Sequence, residues 1–153
     1  MVSRMAAWSP AILPSFMTIT QAMFNQTDLH DDLREAVILC VAMHHSSAYE
    51  ACHHRPLTAL ASLSPDDIEV LLSPETYRAA NSRLRNALAV TDACPQDIDP
   101  PSAVFDDVLR DLRERGVSEL GMLIGFYRIV TTFIRATGVP LDAAPSIQLH
   151  SAP

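Results

Sequence analysis

The sequence predicts an all-α protein. Three observations carry that expectation. Helix-opening signals recur from end to end, and apolar residues between them return at a spacing of three and four rather than two. No segment alternates apolar and polar residues between hairpin turns, so nothing reads as a sheet. The chain has 153 residues, 48% of them hydrophobic, enough for one domain with a real core and too apolar for disorder.

The elements follow in order. Ser9-Pro10 is placed to open a first helix carrying Phe16, Ile19 and Phe24. Asp32-x-x-Glu35 has the layout of a capping box, with Asp as the cap, and starts a second helix. Eight uncharged residues, Ala36 to Met43, follow and mark that helix as central. The next helix should carry Glu50 and His54, and Pro56 inside it implies either a kink or a fresh start. Ser64-Pro65-Asp66-Asp67 and Ser73-Pro74-Glu75 each put Ser at an N-cap, Pro at N1 and acid in the first turn. Tyr77, Leu84, Leu88 and Thr91 then recur on a helix ending near Ala93. Residues 95–101 form a Pro/Asp-rich connector. Val104, Val108 and Leu112 stripe the next helix, which Gly116 is expected to close. Ser118 opens the last, and Gly138 with Pro140 ends it. The expected organisation is one helical domain over 1–144 and a loose tail over 145–153.

Charge and cysteine usage narrow the function classes. A net charge of -7 argues against a nucleic-acid surface. Three cysteines, Cys40, Cys52 and Cys94, are odd in number and widely spaced, which suits a reducing compartment rather than a disulfide framework. Residues 1–8 do not read as a signal peptide. The apolar stretch Leu120 to Ile134 is short for a membrane span and holds Arg128 near its middle. The expectation is a cytoplasmic protein with no membrane partner. Its apolar helices carry few charges, so a homo-oligomer is expected.

Chemistry concentrates after the apolar run. Four of the six histidines, His44, His45, His53 and His54, fall within eleven positions, with Tyr49, Glu50 and Cys52 among them. Titratable groups gathered at the end of a buried helix make a candidate site. Ser47, Glu50 and His54 stand three and four apart, so on one helix they share a face. A carboxylate beside an imidazole raises its pKa and fixes its orientation, as a proton shuttle requires. The plain alternative is an ordinary surface pair one turn apart. For Glu35 the plain alternative is its place in the capping box, for Tyr49 a pocket wall, and for His53 competition for Glu50. His44 falls on the buried stripe, and His45 is expected toward solvent. Arg128, amid apolar neighbours, needs either an internal acid or a substrate carboxylate. The histidine spacing is not that of a zincin, so no metal and no cofactor is assigned. Cys52 reads as a small core residue.

The spacing Glu35…Ser47-x-x-Glu50-x-x-x-His54 resembles the carboxymuconolactone decarboxylase / alkylhydroperoxidase D (AhpD)-like family. Redox members of that family carry a Glu and then Cys-x-x-Cys-x-x-x-His; here Ser47 and Glu50 occupy the cysteine positions. Tyr49-Glu50-x-x-His53-His54 is similar to the motif of members without the pair, and His53-His54-Arg55-Pro56-Leu57 to a stretch where the helix kinks. Leu63-Ser64-x-x-Asp67-Ile68, Leu84 to Thr91, Ser118-Glu119-Leu120, Phe126-Tyr127-Arg128 and Gly138-Val139-Pro140 extend the likeness over most of the chain. Ala93 and Cys94 depart from it, standing where relatives often have an acid and a histidine.

The resemblance implies an AhpD-like helical bundle, a homo-oligomer, and no dithiol peroxide chemistry. The leading expectation is a cofactor-independent acid–base enzyme of decarboxylase, isomerase or cyclase type, acting on a small organic acid, lactone or related metabolite. Glu50 and His54 would move protons and Glu35 would orient or relay them. Ser47, Tyr49, His53 and Arg128 would line the substrate pocket. The rival readings are a redox-related protein using one cysteine and a non-catalytic oligomeric binding module.

Overall fold

The computed structural model describes residues 1–64, 66, 68, 82–94 and 98–141. The described residues form six helices and no strand: α1 (Val2–Trp8), α2 (Leu13–Asn25), α3 (Asp31–His44), α4 (Ala48–Leu60), α5 (Ser82–Ala93) and α6 (Ser102–Thr137). The starts at Ser73-Pro74, the position of Tyr77 and the tail 145–153 lie outside the described residues.

α3 is the axis of the bundle. Every residue from Leu33 to Ala42 is buried, and α4, α5 and α6 all pack on it. Its run from Ala36 to Met43 carries no charge on any side and so has no face to offer water, which leaves it surrounded by the other helices. Leu33, Val37, Ile38, Val41, Leu88, Leu120 and Leu123 form the centre of the core. Each such side chain is worth about 1.5–3 kcal/mol in surface removed from water.

The turn from α3 to α4 sets the register of the site. Ser46 adopts a left-handed conformation (φ 49°), and Ser46 and Ser47 donate backbone hydrogen bonds to the carbonyls of Met43 and Ala42. Ser47 then caps α4, its Oγ accepting the Glu50 N–H at 3.4 Å. A tight helical hairpin results. At about 1.5 Å rise per residue, positions nearly equidistant from the turn come side by side. Glu35 and His54 are offset by three residues, about 4.5 Å along the axes, a gap their side chains span. α4 runs through Pro56 without a restart, so the proline removes one donor and does not divide the element.

Three boundaries differ from expectation. Residues 2–8 form a helix of their own, and Ser9-Pro10 lies in the turn that follows; Pro14, in the first turn of α2, takes the role expected of Pro10. His30, not Asp32, is the N-cap of α3, so Asp32 and Glu35 make no capping box, and Glu35 points inward instead. Residues 102–137 form one long helix rather than two. Its break falls at Arg113 (φ 57°, ψ 177°), three residues before the expected stop at Gly116. Gly116 serves the break differently. A Cβ there would lie 2.8 Å from the Leu112 Cβ, so the kinked backbone admits no side chain.

The end of α6 is as expected. Gly138 is left-handed (φ 59°, ψ 43°), and the N–H groups of Gly138 and Val139 return to the carbonyls of Arg135 and Ile134. The Arg4 guanidinium closes the same end from α1, donating to the carbonyls of Thr137 and Gly138. α6 is long and apolar enough to cross a membrane, yet its inner face, including Leu120, Leu123 and Val130, is core.

Candidate active site

His54 is the hub of the site. Its Nδ1–H donates to Glu35 Oε2 at 2.8 Å. Its Nε2 faces Glu50 Oε2 at 3.4 Å and the Tyr127 hydroxyl at 3.1 Å. α3, α4 and α6 therefore each supply a group to one imidazole. The ring also lies parallel to Phe24 of α2 and edge-on to Tyr127. All these polar groups are deeply buried: Glu35 is 2% exposed, Glu50 4% and His54 7%.

Two buried carboxylates demand compensating positive charge. Arg34, also buried, supplies part of it. Its Nε lies 3.6 Å from Glu35 Oε1, its Nη2 pairs with Asp31 at 2.9 Å, and its guanidinium covers the Phe24 ring. His54 supplies the rest by holding a proton. Burial by itself lowers the imidazole pKa. The hydrogen bonds and charges of Glu35 and Glu50 outweigh it and lift the value from 6.5 to about 9. At neutral pH the group is an imidazolium between two carboxylates. Burial and the same two carboxylates push the Tyr127 hydroxyl far above its ordinary value, so it stays protonated as a donor.

The hub opens onto a cavity of about 340 Å³. Phe16, Met17, Phe24, Leu57, Phe126 and Val130 make its walls mostly apolar, and Met1 and Val2 of α1 close one side. Its polar groups are Thr20, Tyr49, Glu50, His53, His54 and Tyr127. No lysine, arginine or cysteine appears among the described lining residues. Glu35 stands behind His54 and does not reach the cavity wall. A wider hollow of about 570 Å³ lies between Asp28–Asp32 and Leu60–Ser62, open to solvent and away from His54.

The residues singled out in the sequence separate into two groups. Glu35, Glu50 and His54 converge, and Tyr49 and His53 join them on the cavity wall. Tyr49 and His53 stack at 4.1 Å between centroids, and His53 Nδ1–H donates to the Tyr49 carbonyl at 2.8 Å. Ser47 and Arg128 do not reach this cavity. Ser47 is not on the helix face shared by Glu50 and His54; it is the cap of α4, and it borders a separate hollow with His45 and Arg135. Arg128 leaves α6 on another side and donates to the Cys94 carbonyl at 3.2 Å. One residue's step along α6 turns it about 100° from Tyr127, which accounts for the difference.

His44 bonds to Asp92 rather than joining the hub. His45 is partly buried rather than turned to solvent, and burial, followed by the charges of Arg128, Arg135 and His44, lowers its pKa. Two participants were not expected from the sequence. They are Tyr127, in an apolar stretch of α6, and Arg34, in the first turn of α3. The only signal was that a buried acid at Glu35 calls for neighbours that donate.

No protein-family model and no curated protein sequence matches the chain. Among solved structures, the chain is similar to a cysteine-to-alanine variant of the debrominase Bmp8 in complex with 2,3,4-tribromopyrrole. The TM-score is 0.76 at 18% identity, over 90% of this chain and 74% of that one. The likeness is one of fold alone, and the all-α architecture expected from the sequence is the one the described residues form.

Proposed function

We propose that the protein is a cofactor-independent enzyme that moves protons on a small, uncharged and largely apolar molecule. One observation carries the reading: an imidazolium is clamped by Glu35 on one nitrogen, while the other meets Glu50 and Tyr127 at the wall of an apolar cavity. Of the chemistries expected, isomerisation of an unsaturated lactone or similar carbonyl compound fits best. The described cavity lining offers no Lys or Arg to a substrate carboxylate; its His54 imidazolium is already shared by Glu35 and Glu50, its Met1 ammonium donates to the Tyr49 hydroxyl, and Glu50 would repel a carboxylate. A decarboxylase needs that carboxylate; an isomerase does not. The small heteroaromatic in the Bmp8 complex supports the size and polarity assigned to the ligand.

In this mechanism the Glu50 carboxylate removes a proton from the carbon beside the carbonyl. The C–H electron pair moves into the carbonyl, and the oxygen that gains charge is met by His54 Nε2–H and the Tyr127 hydroxyl. Glu50 exchanges its proton with solvent and returns one to a different carbon, which completes the isomerisation with atoms and charge balanced. Glu35 holds the imidazole in place and keeps it protonated. Tyr49 and His53 shape the wall. The absence of a thiol from the described lining residues favours this over single-cysteine redox chemistry, and burial raises the Cys40 and Cys94 thiols.

The test is solvent exchange. Uncharged enolisable lactones and cyclic ketones, and carboxylated counterparts of each, are incubated with the protein in D₂O, and deuterium uptake at carbon is followed by NMR. The reading expects uptake in uncharged members. Uptake confined to the carboxylated ones, or in none, contradicts it.

A further inference from the structure

A second cluster lies where α3 meets α5, apart from the cavity. Cys40 and His44 stand one turn apart on α3, so both face the same neighbour. That neighbour is Asp92 near the end of α5. Its Oδ1 lies 3.3 Å from Cys40 Sγ and 2.7 Å from His44 Nε2. The sulfur, nitrogen and oxygen all fall within 4.8 Å of one another.

We propose that Cys40, His44 and Asp92 form a binding site for a zinc-type divalent cation. A thiolate, an imidazole and a carboxylate are a mixed set that suits zinc, whereas magnesium and calcium call for oxygen alone. The spacing suits it as well. With zinc bonds of about 2.0–2.3 Å in a tetrahedron, donor atoms sit roughly 3.3–3.6 Å apart. The Cys40–Asp92 separation is already there, and His44 has to retreat from Asp92 by less than an ångström.

The surroundings are graded in the same sense. Cys40 is buried, while the side chains of His44 and Asp92 are 23% and 18% exposed. The cation has an entry path on the open side and room there for a water as fourth ligand. Its binding replaces the protons that now bridge the three groups: the Cys40 thiol proton and any proton on His44 Nε2 leave to solvent. The bound ion would pin the end of α3 to α5, just before the turn that sets the register of Glu35 against His54. Its role is to hold that register, not to touch substrate.

The probe is Co²⁺ added to the reduced, full-length chain, followed by Zn²⁺. The expected result is saturable uptake of one Co²⁺ per chain, with a thiolate-to-cobalt absorption band and d–d bands of tetrahedral strength that Zn²⁺ removes. Cys40→Ser should lose the thiolate band while keeping its helical content. Asp92→Asn and His44→Gln, both at the open side, should weaken binding by more than the about 10–100-fold typical of losing an outer partner of a metal site. Zn²⁺ should also raise the melting temperature, and EDTA should reverse the rise. A wild-type chain that takes up no Co²⁺ overturns the proposal. So does a thiolate band that persists unchanged in Cys40→Ser, since Cys52 or Cys94 would then be its source.

Discussion

Replacing Glu35 by Gln tests how the hub is held together. Glu35 accepts the His54 Nδ1–H at 2.8 Å, and its influence is larger than that of Glu50 in lifting the imidazole from 6.5 to about 9. A change of that size is worth about 3 kcal/mol. The sign follows from linkage. The folded-state pKa is raised, so the contribution is fully present below pH 6.5, declines as pH rises, and is lost above about 9. Gln keeps the shape and can still accept the Nδ1–H, but it carries no charge. Arg34 retains Asp31 as a partner, so the substitution leaves no stranded guanidinium. The variant should be about 2–4 kcal/mol less stable than wild type at mildly acidic pH, close to the cost of breaking a buried pair. The gap should narrow steadily toward pH 9, where wild-type His54 has lost its proton and its two carboxylates repel. Urea unfolding of both chains across this range reads the gap, and NMR of the His54 ring proton reads the pKa. A gap that does not vary with pH, or a wild-type His54 titrating near 6.5, would refute the reasoning.

Other expectations follow from single contacts. Tyr127→Phe removes the hydroxyl 3.1 Å from His54 Nε2 and should slow turnover about 10²-fold with little change in unfolding free energy; an unchanged rate would exclude Tyr127 as a donor to the reacting oxygen. Arg113 holds a conformation natural only to glycine, so Arg113→Gly should stabilise the chain by about 1 kcal/mol or more, read by thermal melting, and a loss of stability would count against the break at that residue. On the outer side of α6, Met122 and Ile129 are exposed beside Gly121 and Gly125, whose added Cβ atoms would meet nothing within 4 Å. If this face joins copies of the chain, sedimentation of wild type should show an oligomer and Ile129→Glu should shift it to monomer; a monomeric wild type would remove the expectation.

How much of this was legible in the sequence depended on how local each signal was. The uncharged run Ala36 to Met43 announced the central helix because burial on all sides forbids charge. Gly138 announced the end of α6 because its left-handed conformation favours glycine. The break in that helix was misread as a stop at Gly116, because close approach and left-handed backbone both select glycine and only coordinates tell them apart. Glu50 and His54 are legible from their spacing on one helix, and Glu35, across the turn, from the family resemblance. Ser47 was grouped with them because the i, i+3, i+4 pattern does not show where a helix begins; the cap stands outside it. Tyr127 and Asp92 could not be placed, since each meets its histidine across a helix contact of long sequence separation. Arg128 stands out on chemistry alone, but the rotation of one residue along the helix brings Tyr127 and not Arg128 to the cavity.

The central claim is that His54, held by Glu35 and Glu50, donates to the oxygen that gains charge as Glu50 moves a proton at the cavity. The most direct measurement is the rate of deuterium uptake into an uncharged lactone by wild type and by His54→Ala, with helical content and sedimentation checked for both. A donor to a developing oxyanion is worth about 10²–10³-fold, so His54→Ala should lose that much while remaining folded. In wild type kcat/KM should fall as pH rises through about 9, where His54 gives up its proton. A folded His54→Ala that exchanges at the wild-type rate would contradict the account.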